Sequence, residues 1–210
     1  QESNHFAIRK NLLEYDQVNN EQRELIYEER RRVLKGESMH DEIVRMIGDV
    51  VKAEINDVID EGQTPAEWNL LLLNRTLLPI APIKPLSMNK DDYKGYTTER
   101  LIDEVTEQVK ELYAKKEQEI TEETGSAETF REVERVFLLK VIDKKWMSHI
   151  DDMDQLRQSI SLQAYAQKDP VVEYRYAGIE MFEEMIAAIS KDIVMITLQI
   201  LEQLSYLTSE

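Results

Sequence analysis

The sequence predicts an all-α protein in which a long N-terminal helix packs with an antiparallel hairpin of two long helices, with a helical subdomain inserted between them. Three observations support this fold class. Only 6 of the 210 residues are glycine, apolar residues recur every three or four positions over long stretches, and chain-breaking residues are confined to a few short segments. These features favour helices over strands and turns.

The first predicted helix covers residues 6–34. Its apolar residues recur at helical spacing: Ile8, Leu12, Tyr15, Ile26 and Val33. Residues 19–23, in the middle of the helix, are all polar. Because one continuous apolar core cannot hold such a helix, its middle must cross solvent or face a polar partner. Gly36 is placed to end the helix.

Three shorter helices are predicted in the next stretch of chain. The first covers residues 38–59. A second begins near Thr64, which with Glu67 has the spacing of a capping box. Three prolines between residues 78 and 86 end it, since proline removes an amide donor and biases the preceding residue toward extended geometry. The third runs from residue 97 or 98 to about residue 120, with its turn at Gly125 beyond.

Two long apolar stripes follow Gly125. The first stripe consists of Leu139, Ile142, Trp146, Ile150, Met153, Leu156 and Ile160. The second consists of Val172, Tyr176, Ile179, Phe182, Ile186, Ile189, Ile193, Ile196 and Ile200. Two such stripes joined by a short turn predict an antiparallel helical hairpin. Since the hairpin and the first helix each need an apolar partner, we expect them to pack together, with the subdomain between them hinged near Gly36 and Gly125.

Charge and composition exclude several functions. The formal net charge of −16 repels phosphate backbones, so nucleic acid is not expected as a partner. The absence of cysteine excludes disulfides and cysteine-based zinc sites. No Gly-x-x-x-x-Gly-Lys-Ser/Thr loop is present to hold a nucleotide, and the three histidines do not form a metal-ligand pattern. We therefore expect no catalytic residue, metal or cofactor in this chain.

Two features of the sequence concern the location of the protein. The apolar runs are too short to span a bilayer, and no secretory signal pattern is visible, so a cytoplasmic protein is expected. The chain begins with Gln1 rather than Met, and we expect it to be a fragment of a longer protein.

The turn of the hairpin differs from an ordinary connector. Instead of a short polar loop with glycine, it presents Leu162, Tyr165 and Ala166. Tyrosine combines a large apolar face with a polar end and few rotamers, which suits a contact residue. From these residues alone, Tyr165 either makes an external contact at the tip or folds back onto the hairpin.

Two separated stretches of the sequence match the pattern of one protein family. The hairpin residues that carry the resemblance are Asp143, Trp146, His149, Met153, Asp154, Leu156, Arg157, Tyr165, Ala166, Gln167, Pro170, Glu173, Tyr174, Met181 and Phe182. Those of the first helix are Phe6, Ile8, Arg9, Lys10, Leu13, Glu14, Tyr15, Asp16, Val18, Gln22, Arg23, Ile26 and Tyr27. By these residues, and by the order of the two stretches, the chain resembles the SecA family, the motor ATPases of bacterial protein export.

The resemblance implies a division into domains and a role for each. Residues 1–36 and 125–210 would form the helical scaffold domain, with the two-helix finger at 127–204, and residues 37–124 the helical wing domain. The finger tip would contact preprotein and channel through Leu162, Gln163, Ala164, Tyr165, Ala166, Gln167, Lys168 and Asp169. The scaffold helix would contact other domains through Arg9, Lys10, Glu14, Asp16, Gln22 and Arg23.

The same resemblance implies the partners and the location. They are the remaining SecA domains, the Sec channel, unfolded preproteins and a second copy in a homodimer, at the cytoplasmic face of the cell membrane. The finger would also regulate ATP turnover, with ATP and magnesium bound outside this chain. Ser159, Ser161 and Gln163 stand where the family has glycine, histidine and arginine, so this finger end is less basic. A helical scaffold or adaptor without a role in translocation is the alternative.

Overall fold

The computed structural model describes residues 2–162 and 169–207, with side chains described except at residues 7, 8 and 200–207. The described part is helical and contains no strand, which confirms the all-α prediction. Its α-helices are α1 (Glu2–Leu34), α2 (His40–Val58), α3 (Leu70–Leu77), α4 (Thr98–Thr124), α5 (Ala127–Leu162) and α6 (Pro170–Leu207). Short 3-10 helices lie at Pro65–Glu67 and Lys90–Tyr93.

The chain divides into two compact units. The first comprises Gln1–Glu37 and Leu139–Ile189, and the second comprises Ser38–Leu138 and Ser190–Glu210. Both α5 and α6 therefore contribute residues to each unit. The division into scaffold, finger and wing uses different boundaries and stays a prediction.

In the first unit, α1 packs against the adjoining parts of α5 and α6. The core there contains Tyr15, Val18, Met153, Ile160, Val171 and Tyr174, flanked by Leu156 and Met181. The rings of Tyr15 and Tyr174 meet edge to face, with centroids 4.9 Å apart, a favoured aromatic geometry. The predicted packing of the first helix with the hairpin is confirmed.

The predicted stripe on α6 is only partly correct. Its members Val172, Tyr176, Ile179 and Ile186 are exposed, whereas Ile189 and Ile193 are buried as predicted. In the first half of the helix the buried face consists of Val171, Tyr174, Gly178 and Met185. This helix carries apolar side chains on two adjacent faces, so helical spacing alone does not decide which face is buried. On α5 the stripe is correct apart from Ile150, and on α1 the predicted Leu12 is likewise exposed.

In the second unit, α2 packs against α3 and α4. The most buried side chains there include Ile43, Ile47, Ile55, Trp68, Leu73 and Leu101. The predicted capping box is present: the Glu67 carboxylate accepts hydrogen bonds from the backbone N–H of Thr64 at 2.7 Å and from its hydroxyl at 3.1 Å. It caps only the 3-10 turn, however, and α3 begins at Leu70 behind its own cap, Asn69.

The proline-rich segment after α3 packs within the second unit. Ile80, Ala81 and Ile83 are buried. The side-chain amide of Asn74 donates to the carbonyl of Leu86 at 3.0 Å, and its oxygen accepts from the Leu86 N–H at 2.7 Å. Since prolines break the backbone ladder here, these side-chain hydrogen bonds replace it.

Candidate interface of the first helix and the hairpin

Gln22, in the polar middle of α1, faces a polar partner, whereas Asn20, Glu21 and Arg23 are exposed. Gln22 is only 6% exposed, and its side-chain amide donates to the carbonyl oxygen of Gly178 on α6 at 3.0 Å. The Gln22 oxygen lies 2.7 Å from Nε2 of His149 on α5. One side chain of α1 thus bonds to both helices of the hairpin, as a buried amide requires.

His149 lies at the centre of this interface. It is 3% exposed, and its ring lies between Trp146 and Phe182, with centroid separations of 5.5 and 5.8 Å. Because the Gln22 amide nitrogen donates to Gly178, its oxygen faces the ring, so Nε2 of His149 carries a proton and donates. Burial lowers the pKa of His149, since it disfavours the charged imidazolium.

Neighbouring polar residues of α1 extend the interface. The hydroxyl of Tyr174 donates to the Asn19 side-chain oxygen at 2.7 Å. Arg175 forms an ion pair with Glu21 at 2.8 Å. Within the polar stretch 19–23, α6 therefore pairs with Asn19, Glu21 and Gln22, whereas Asn20 and Arg23 bond to each other.

Charged pairs flank this central region. Arg30 binds both carboxylate oxygens of Asp143, at 2.9 and 3.3 Å. Toward the other end of α1, the Arg157 guanidinium lies 4.9 Å from the ring centroid of Tyr15. Its Nη1 is 3.8 Å from Asp16. Since these pairs are partly exposed, each contributes little stability, but together they extend the polar contacts along α1.

The residues predicted to contact other domains fall into three groups. Arg9 and Lys10 are exposed, and Glu14 is half-buried. Asp16 pairs with Arg157 on α5, and Arg23 bonds to Asn20 on α1. Gln22 is buried inside the first unit and bonds within the chain.

The predicted tip lies mostly outside the described residues. Residues 163–168, including Tyr165, are among those not described. Leu162, the last residue of α5, is highly exposed. Asp169 accepts a hydrogen bond from the Val171 N–H at 3.0 Å and so caps the start of α6. The tip assignment stays a prediction.

Two apolar grooves run beside α1 in the first unit. One, of about 410 Å³, is lined mainly by Val18, Leu25, Ile179, Phe182 and Ile186. The other, of about 540 Å³, is lined mainly by Ile26, Tyr27, Leu34, Trp146 and Met147. Exposed apolar surface of this kind is typical of protein contact sites.

A second buried polar cluster lies in the second unit. Glu134 is 1% exposed, and one of its oxygens accepts hydrogen bonds from the Tyr113 hydroxyl and, at 2.7 Å, from Arg131. Arg131 also pairs with Glu117, and the ring of His40 stacks on Tyr113. Burial raises the pKa of Glu134, and burial with the Glu134 hydrogen bond raises the pKa of Tyr113.

No group of three or more potential metal ligands is found among the described residues. Across the same part of the chain, no helix is both long and apolar enough to cross a membrane.

Lowering the pH from 7 to 5 is expected to destabilise the protein through His149. The unfolded chain binds this proton near the ordinary value of about 6.5, whereas burial lowers the pKa in the folded state. The stabilisation by the neutral ring is therefore complete above pH 6.5 and is lost as the pH falls through the folded pKa. Urea unfolding between pH 5 and 7.5 should show a steeper pH dependence for the wild type than for His149→Gln.

His5→Gln serves as the matched control, because His5 is exposed. That variant should follow the wild type. The same pH dependence in His149→Gln and the wild type would contradict the expectation.

The comparisons with known proteins agree with the resemblance in the sequence. The family model described as SecA Wing and Scaffold domain matches residues 1–201. The protein translocase subunit SecA of Lachnoclostridium phytofermentans is 52% identical over 193 residues, which are 92% of this chain and 22% of that protein. The corresponding subunits of Clostridium botulinum (strain Okra) and Pelotomaculum thermopropionicum are 46% and 44% identical, again over 92% of this chain and 22% and 21% of those proteins.

The chain spans about a fifth of the length of these curated relatives. The family match covers nearly the whole of it, including α1 and both hairpin helices. The chain therefore belongs to the SecA Wing and Scaffold family.

Proposed function

We propose that this chain is the scaffold, wing and finger part of a SecA motor for bacterial Sec-dependent protein export. The observation that carries the proposal is the family match over residues 1–201, together with relatives named as protein translocase subunits. In this role α1 supports the ATPase domains, and the hairpin tip contacts preprotein and the Sec channel.

The contacts of α1 support a mechanical role. Gln22 bonds to both α5 and α6, and the ion pairs at Glu21 and Arg30 add further links between the same elements. A displacement of α1 is therefore transmitted to the two hairpin helices as one body. This coupling is what the proposed regulation of ATP turnover by the finger requires.

The surface of the first unit supports contacts with further domains. The two grooves beside α1 leave Leu25, Tyr27, Leu34 and Met147 exposed. The curated relatives are about five times longer than this chain, so their other domains are the proposed occupants. Arg9, Lys10 and Glu14 supply polar groups near the start of α1.

The chemistry of the motor lies outside this chain in the proposal. ATP and magnesium bind to the remaining domains, and this part acts without hydrolysing nucleotide. The motor works at the cytoplasmic face of the cell membrane, with the Sec channel and unfolded preproteins as partners and with a second SecA copy where it dimerises.

Replacing Tyr165 by alanine in the complete translocase subunit is expected to reduce preprotein transport and leave folding intact. An aromatic contact at the end of a hairpin has the character of a binding hot spot, for which truncation costs ~2 kcal/mol or more, roughly thirtyfold in affinity. Transport, ATP turnover and thermal unfolding should be measured together. Tyr165→Phe should keep much of the transport, because the ring supplies most of the contact.

Glu180→Ala is the control, since Glu180 is exposed on α6 away from the tip, and it should transport normally. Wild-type transport by Tyr165→Ala would refute the tip contact. A loss of folding in that variant would instead show that Tyr165 packs back onto the hairpin.

A further inference from the structure

Each helix of the first unit has a buried stripe that is apolar with one exception. The stripe of α1 consists of Tyr15, Val18, Gln22, Ile26 and Val33. That of α5 includes Ile142, Trp146, His149, Met153 and Ile160, and that of α6 includes Val171, Tyr174, Gly178, Met185 and Ile189. Gln22 and His149 are the only buried polar side chains among the described residues of this unit.

The three exceptions meet at one point. Gln22 donates to the carbonyl of Gly178 at 3.0 Å and lies 2.7 Å from His149 Nε2. A Cβ on residue 178 would lie 2.7 Å from the terminal methyl of Met153, but 3.4 Å from the Gln22 amide nitrogen, which is an ordinary contact distance. The absence of a side chain at residue 178 thus leaves room for Met153, while the backbone carbonyl of this residue accepts from Gln22.

Apolar contacts alone would not fix the axial position of α1 along the hairpin. The stripe of α1 repeats every three or four residues, so a shift by one helical turn would bring Val18 or Ile26 to the position of Gln22. An apolar side chain there leaves the His149 N–H buried without an acceptor, and the displaced Gln22 amide loses both partners. A single buried polar residue sets the register of coiled coils for the same reason.

We propose that Gln22, His149 and Gly178 form a register lock, which sets the axial position of α5 and α6 on α1. The lock acts by excluding the alignments one turn away, rather than by adding much to stability. It determines which residues of α1 lie beside the described ends of α5 and α6. The consequence for the channel contact rests on the proposed function, whereas the lock itself does not.

The absence of cysteine from the chain allows a direct test by crosslinking of introduced cysteines. Arg175→Cys is combined in turn with Glu21→Cys, Gln17→Cys or Leu25→Cys. Arg175 and Glu21 are in contact, while residues 17 and 25 are exposed and lie one turn to either side of Glu21 on α1. Arg175 and Glu21 meet through the ends of long side chains, whereas a disulfide needs Cα atoms within about 7 Å. A short bismaleimide that spans the ion-paired distance therefore joins the two cysteines, and its crosslinking yield reports the alignment.

With the lock intact, the pair 21–175 should exceed each shifted pair roughly tenfold in yield. The double variant Gln22→Leu/His149→Leu leaves no buried polar group unpaired. In this variant the yield of at least one shifted pair should rise to within about threefold of the yield of the pair 21–175. Circular dichroism confirms that the variant is helical. His149→Gln keeps a donor for Gln22 and should keep the wild-type ratio, which a role in packing alone would not produce.

A folded double variant that still strongly favours the pair 21–175 would overturn the proposal. If the double variant does not fold, the yields are measured in Gln22→Met, which removes both hydrogen bonds and keeps the length of the side chain. An unchanged ratio there would equally overturn it. Because no channel, preprotein or ATP is present in this assay, its result is independent of transport by the Tyr165 variants.

Discussion

Replacing Trp146 by alanine is expected to lower the free energy of unfolding by roughly 3–5 kcal/mol. The indole is 9% exposed and packs beside the His149 ring, with centroids 5.5 Å apart. It also lines the same groove as Ile26 of α1. Truncation removes its apolar contacts and leaves a cavity that helices held at Gln22 and Arg30 cannot easily close. Urea unfolding followed by circular dichroism measures the loss.

The neighbouring residue provides the matched control. Met147 is 69% exposed, so Met147→Ala should change the unfolding free energy by about 0.5 kcal/mol or less. Equal effects of the two substitutions would show that the buried stripe of α5 is assigned to the wrong residues.

Replacing Arg131 by methionine is expected to cost about 3 kcal/mol at pH 7, because it leaves the buried Glu134 carboxylate without its cation. The Tyr113 hydroxyl would remain as a donor to that carboxylate, but a neutral hydroxyl does not balance the charge. Arg131 also pairs with Glu117, so the cluster would lose its link between two acidic residues. Stability at pH 7 should be measured for Arg131→Met, for Glu134→Gln and for the double variant.

The pH dependence separates charge from packing in this cluster. Burial raises the folded-state pKa of Glu134, so its contribution to stability is present at low pH and is lost as the pH rises through that pKa. The penalty in Arg131→Met should therefore shrink toward pH 4.5. Adding Glu134→Gln should recover part of the stability at pH 7. If the loss of stability is the same at both pH values and in the double variant, it comes from lost packing alone.

Much of the fold could be predicted because helix signals are local. The prolines, the glycines and the long stripes located the breaks and the hairpin correctly. Gly125, for example, ends α4 in the left-handed conformation at φ 72°, as a helix C-terminus favours. The buried face of the first half of α6 could not be predicted, since Val172 and Val171 begin two stripes of similar hydrophobicity, and only tertiary contact selects between them.

The candidate site was less accessible to sequence reasoning. The polar stretch of α1 indicated a polar partner, but nothing local identifies His149 or the carbonyl of Gly178, which lie 127 and 156 residues from Gln22. The family resemblance implies that Gln22 contacts other domains, whereas the sequence around it gives no sign of its partners within the chain. A single glycine or histidine within a long apolar stripe is the sequence signal that could indicate such buried polar partners.

The exposed apolar face of α6 has a consequence for handling the protein. Val172, Tyr176, Ile179 and Ile186 give the first unit a tendency to self-associate, and the net charge of −16 opposes it by mutual repulsion between molecules. At 0.1 M salt the screening length is about 10 Å. Salt therefore weakens the repulsion between molecules but does not weaken apolar association. The chain is therefore best kept dilute and at low ionic strength, and concentrated, salted solutions should favour oligomers and precipitate.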